Sequence, residues 1–105
     1  MSHSLPAGPP PPSLSVTALR AAADPLVLDA RSPEEFAEGH VGGALSLPVE
    51  QLAAALDRLP RDRALVTVCT KGGGRSQGAA RTLLDAGFPD VAFLEGGWLA
   101  WRAAL

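Results

Sequence analysis

The chain has 105 residues, 47% of them hydrophobic, with a formal net charge of −2 and a single cysteine. That is the length of one domain, able to bury roughly 60–65% of the surface its unfolded chain exposes without staples. The composition excludes an internal disulfide and fits a reducing compartment such as the cytoplasm, while the weak negative charge and few aromatics argue against a nucleic-acid partner.

Residues 1–12 end in Pro9-Pro10-Pro11-Pro12 and read as a polyproline II tail with no part in the chemistry. The start lacks the basic-then-apolar pattern of a signal peptide, and the domain proper is expected over residues 13–105. Ser15 caps an Ala-rich helix through Val16–Ala23 that ends before Pro25. Leu26-Val27-Leu28-Asp29-Ala30 is a short apolar run ending in a charge, as in a central parallel strand. Ser32-Pro33-Glu34-Glu35 opens the next helix with a Ser cap, Pro at the first position and Glu at the capping-box position. Gly39 ends it, and the turn around His40-Val41-Gly42-Gly43 leads to a short strand before Pro48.

Val49–Arg58 is read as an amphipathic helix built on Leu52, Ala53, Leu56 and Leu59. Ala64–Val68 is a buried strand that delivers Cys69. Gln77–Ala86 has helical spacing, with Ala79, Ala80, Leu83, Leu84 and Ala86 on one stripe, and Gly87 and Pro89 close it. Val91–Leu94 is the last strand, and Trp98–Arg102 forms a terminal helix whose two tryptophans pack on the body. Strands alternating with helices predict an α/β domain with a parallel sheet covered on both faces. No apolar run nears the ~20 residues that span a bilayer, so no membrane is expected.

Between the strand and its helix lies Cys69-Thr70-Lys71-Gly72-Gly73-Gly74-Arg75-Ser76. Glycines let the backbone curl so that successive N–H groups converge on an anion. The following helix adds its positive end, and Lys71 and Arg75 bring two cations to the same rim. A thiol so placed is expected to ionise below its ordinary value near 8.5 and to act as a nucleophile. A lone cysteine is often a small buried hydrophobe and a glycine run is often a turn; the coincidence of all these features in a few positions is what points to chemistry. Asp29 and Cys69 both fall at strand C-termini, where ligands sit in such sheets.

Three segments resemble the single-domain rhodaneses, a sulfurtransferase family: Leu28–Phe36 running into Gly39–Ala44, the cysteine loop, and Leu94-Glu95-Gly96-Gly97-Trp98 with Trp101. The resemblance covers residues 14–105 or so. It implies a three-layer α/β/α domain with a five-stranded parallel sheet. It also implies that Cys69 takes sulfane sulfur from a small anion such as thiosulfate, forms a persulfide and passes it to cyanide, a thiol or a protein acceptor. Thr70, Lys71, Gly72, Gly73, Gly74, Arg75 and Ser76 then form the anion cradle, Asp29 and Arg31 support it through hydrogen bonds and ion pairs, and His40 is a turn residue. No cofactor and no metal enters this reading.

One feature departs from the family pattern. Common members place four residues between the cysteine and the arginine, and this chain places five, which resembles the loop of rhodanese-fold dual-specificity phosphatases and arsenate reductases. Expelling sulfite from thiosulfate asks mainly for a thiolate and anion binding. Cleaving a phosphate ester needs a general acid, and Thr70–Ser76 contains no Asp or Glu. Sulfur transfer is therefore the preferred reading, with a phosphatase or arsenate reductase as the alternative and a non-catalytic docking module as a third, since folds do not fix function.

Overall fold

The computed structural model describes residues 10–105, so most of the expected proline tail, residues 1–9, lies outside the described residues. Five strands, β1 (Ser13–Leu14), β2 (Leu26–Asp29), β3 (Leu45–Ser46), β4 (Leu65–Val68) and β5 (Val91–Leu94), form one sheet. All its pairings are parallel, in the order β1-β5-β4-β2-β3. Asp29 lies beside Val68 across the ladder, so the carboxyl ends of β2 and β4 share an edge. The fifth strand is the one that patterning did not reveal. Two residues are too few for a period, and β1 exists because Ser13 and Leu14 pair with Phe93 and Leu94. The Pro12 carbonyl accepts the Phe93 N–H just before it.

All four residues of β4 are buried, as expected of a strand covered on both faces. Successive side chains leave opposite faces. Leu65 joins Leu28, Leu52, Ala79, Ala80, Leu83, Phe88 and Val91 in one core. Val66 and Val68 join Leu19, Val27, Val41 and Leu94 in the other, with Trp98 and Trp101 packed against it. Helices α1 (Val16–Ala21) and α5 (Gly97–Ala103) thus cover one face, and α3 (Leu52–Ala55) and α4 (Gly74–Asp85) the other. This is the three-layer α/β/α sandwich.

Local signals explain two of the helix starts. Ser15 accepts the Ala18 N–H at the head of α1. At α2 (Pro33–Glu38) the full capping box forms: the Ser32 hydroxyl accepts from the Glu35 N–H, and the Glu35 carboxylate accepts from the Ser32 N–H. Two expectations are corrected. The single helix expected over Val49–Arg58 is a short α-helical core between 3₁₀ turns at Val49–Gln51 and Leu56–Arg58. The tighter winding rotates the stripe, so that Ala55 is buried beside Leu52 and Ala53 is exposed. Helix α4 starts at Gly74, ahead of the expected Gln77, because Gly73 serves as its cap and its carbonyl takes the Gln77 N–H. The triglycine is therefore half loop and half helix. No helix among the described residues is long and apolar enough to cross a membrane.

Leu83 is fully buried between α4 and the sheet. Replacing it by Ala leaves a cavity in that core, and denaturant unfolding of Leu83→Ala is expected to show a loss of about 3 kcal/mol.

Candidate active site

Strand β4 ends at Val68, and the chain then turns sharply through Cys69-Thr70-Lys71-Gly72-Gly73 into α4. The turn is held from outside by its carbonyls. The Trp98 N–H donates to the Cys69 carbonyl (2.8 Å) and the Leu99 N–H to that of Thr70 (3.1 Å). The Gln77 side-chain amide donates to the Gly72 carbonyl (2.9 Å), and the Gln77 N–H to that of Gly73 (3.0 Å). The Thr67 hydroxyl, fully buried on β4, ties the strand to the first turn of α4 through the Ser76 carbonyl (2.7 Å).

This packing leaves no room for side chains at two glycines. Gly72 has φ of +76°, and a Cβ there would lie 2.8 Å from the Gly96 nitrogen and 2.9 Å from the Leu94 oxygen. Gly97 has φ of +61°, and its Cβ would fall on the Cys69 carbonyl oxygen. Both positions need a residue without Cβ in a left-handed conformation. The Gly96-Gly97 pair is thus part of the site's scaffold, since it lets the start of α5 come close enough to grip the loop.

Cys69 is 3% exposed, at the floor of an open pocket of about 440 Å³ lined also by Thr70, Lys71, Gly73, Gly74 and Arg75. Its Sγ lies 3.1 Å from Oγ of Ser76, itself fully buried. The neutral thiol donates in that contact, and the hydroxyl donates once the sulfur is ionised. Burial pushes the thiol up. The Ser76 hydroxyl and the backbone N–H groups of Ser76, Gly73 and Gly72 outweigh it, and the thiol sits below its ordinary value. Beside the loop N–H groups stands the Ser76 hydroxyl, and Arg75 adds its attraction for the thiolate from the rim.

Arg75 is turned to another partner. Its Nη1 and Nη2 donate to the two carboxylate oxygens of Glu35 (2.8 and 3.3 Å), and Nη2 also donates to the Thr70 hydroxyl (3.0 Å). The Thr70 hydroxyl in turn donates to Glu35 (3.3 Å). The Arg75 hydrogen bonds and the Ser32 N–H hold the Glu35 carboxyl down at about 2, against an ordinary 4.5. A depressed carboxyl stabilises the fold above its unfolded value, and that contribution disappears as pH falls from about 4.5 toward 2. The pair is more than a third exposed on both sides, so its share of stability is small.

Asp29 and Arg31 stand at one remove from the sulfur. Asp29 accepts from the Arg31 N–H (3.0 Å), Nε (2.9 Å) and Nη2 (2.7 Å), and both residues are buried. Arg31 Nη2 donates to the Gly39 carbonyl (2.7 Å), and its guanidinium lies 5.6 Å from the Trp98 ring centroid. The buried pair thereby braces the residue whose N–H holds the Cys69 carbonyl. His40 stacks on Phe36 with centroids 3.7 Å apart, and its Nδ1 lies 2.7 Å from the Phe36 carbonyl. It closes a turn at α2. Sequence reasoning missed Gln77, read only as the first residue of a helical stretch, and Glu35, read as a cap alone; the capping box pointed to Glu35's backbone partner but not to its arginine.

A rhodanese-like domain model matches residues 15–104. The chain is 42% identical over 78 residues to the thiosulfate sulfurtransferase GlpE of Shewanella oneidensis, covering 74% of this chain and 76% of that protein. A rhodanese-related protein from Thermoplasma volcanium superposes with a TM-score of 0.79 at 27% identity, covering 89% of this chain and 92% of the other. A Rhodopseudomonas palustris protein described as a possible tyrosine phosphatase superposes at 0.76 with 30% identity, covering 89% and 80%.

Removing the Ser76 hydroxyl takes a hydrogen bond from the thiolate and leaves the burial in place. The midpoint of iodoacetamide alkylation against pH is expected to rise in Ser76→Ala; a midpoint unchanged from the parent would contradict the assignment. Gly97→Ala is expected to cost at least about 2 kcal/mol on unfolding, from overpacking and a strained φ.

Proposed function

The chain belongs to the family of rhodanese-like domains, and from that premise we propose that it is a thiosulfate sulfurtransferase working through Cys69. The observation that carries the reading is the sulfur itself, the only thiol in the chain, hydrogen-bonded by Ser76 at the floor of a pocket. The relatives named thiosulfate sulfurtransferase support the substrate class.

The Cys69 thiolate attacks the outer sulfur of thiosulfate. A sulfur–sulfur bond forms to Cys69 as the one inside thiosulfate breaks, and its electron pair leaves with sulfite. The product on the protein is a persulfide anion, which the same amides of Gly72, Gly73 and Ser76 are positioned to stabilise. An acceptor such as cyanide, a thiol or a protein thiol then takes the terminal sulfur. With cyanide the new carbon–sulfur bond yields thiocyanate, and the electron pair of the broken sulfur–sulfur bond restores the Cys69 thiolate. No proton moves in either step, and no general acid is needed.

The same proton balance weighs against the phosphatase alternative, which the five-residue spacing and one structural neighbour favour. A phosphomonoesterase must protonate its leaving oxygen. The carboxyl at this site is Glu35, held at about 2 by Arg75, so it is ionised at neutral pH and a poor donor. A single free thiol in an otherwise unstapled domain supports the cytoplasm as its compartment.

Thiosulfate is expected to add one sulfur to the protein by intact-mass spectrometry, and Cys69→Ser to abolish both this adduct and thiocyanate formation. An aryl phosphate assay run beside it is expected to stay blank. Phosphatase turnover without a sulfur adduct would reverse the choice.

A further inference from the structure

The fifth residue of the loop puts Arg75 on the second position of α4, facing α2 across the pocket rim. There Glu35 takes both terminal nitrogens of the guanidinium, and Thr70 shares one of them. Glu35 is fixed in its turn by Ser32 through the capping box, so the carboxylate is held in place from its own helix. Arg75 nevertheless lines the pocket above Cys69. The rim therefore carries an arginine whose bidentate face is already filled by a carboxylate.

We propose that Glu35 is a specificity-determining residue of this site, acting as a built-in competitor for Arg75 against phosphate-type dianions. Its purpose rests on the sulfurtransferase reading, and its physics is separate. A phosphate-type dianion is bound best by a planar guanidinium presenting two parallel donors. With Glu35 in that place, an incoming dianion must displace a carboxylate and approach its negative charge. In thiosulfate the outer sulfur meets Cys69, so its sulfonate oxygens stand one sulfur–sulfur bond farther out than phosphoryl oxygens would, and they depend less on the bidentate face that Glu35 fills. The rim pair is half exposed and so weak enough to be exchanged. Selection thus falls on the anions that most need Arg75.

The test reads anion occupancy without turnover. Inorganic phosphate bound over Cys69 is expected to shield it from iodoacetamide, a neutral reagent, and the half-protecting concentration reports binding. In Glu35→Gln the capping box is retained, because Gln also accepts the Ser32 N–H, while the charge on Arg75 is released. The half-protecting phosphate concentration is expected to fall about fivefold, and the KM for thiosulfate to move less than this. In the double variant Glu35→Gln/Arg75→Gln the gain is expected to vanish. Glu35→Asp, whose carboxylate is one methylene too short for the same grip, is expected to show a smaller gain in the same direction and serves if the first variant folds poorly. Protection unchanged or weakened in both single variants would overturn the proposal, as would a gain that survives without Arg75. A parent protein inert toward thiosulfate that still shows the phosphate shift would retire the sulfurtransferase reading and leave the role of Glu35 standing.

Discussion

The site depends on carbonyl groups being turned away from the sulfur. A trans peptide is planar, with its C=O and the following N–H pointing in opposite directions. When the Gln77 side chain takes the Gly72 carbonyl, the Gly73 N–H is thereby turned inward. Trp98 and Leu99 do the same service at the exit of the strand, from the first turn of a helix packed on the opposite face. The loop's carbonyls are held by hydrogen bonds from the protein itself. The loop is preorganised, which is the condition for hydrogen-bond donors to stabilise charge without reorganising at the moment of reaction.

That arrangement decides how the charge on Cys69 is balanced. Cys69 is only 3% exposed, so its thiolate meets a desolvation cost that rim cations alone would offset poorly. Short contacts to a hydroxyl and three amides act where the dielectric is low. The formal charges are arranged at the rim, where Arg75 and Glu35 neutralise each other. The buried Asp29–Arg31 pair belongs to neither layer. Its work is mechanical, locking Gly39 and Trp98 so that the backbone grip on Cys69 holds.

The parts of the fold legible in the sequence were those written in local chemistry. Ser32 with Pro33 and Glu35 announced a helix start, the apolar runs at Leu26–Ala30 and Ala64–Val68 announced buried strands, and the two tryptophans announced a docked terminal helix. What escaped was set by pairing across the chain. β1 has only two residues, and its strand character comes entirely from β5. The 3₁₀ ends around α3 exchanged Ala53 for Ala55 because the pattern assumed a uniform winding. The cysteine loop was legible as a cradle, since glycine content and a helix start travel together in sequence. The pairing of Arg75 with Glu35 was not, because the two sit 40 positions apart and nothing along the chain links them.

One hydrogen atom at Ser76 has two claimants. Its hydroxyl reaches the Gly73 carbonyl at 3.3 Å as well as the sulfur, and a single O–H proton serves only one of them at a time. While the sulfur keeps its own proton, the hydroxyl is free to lend its hydrogen to Gly73 and tighten the cap of α4. Ionisation draws it back to the sulfur and leaves that cap to the Gln77 amide alone. The proton on Cys69 and the N-terminal cap of α4 are therefore coupled through one hydroxyl, which serves the helix end only while the sulfur is neutral.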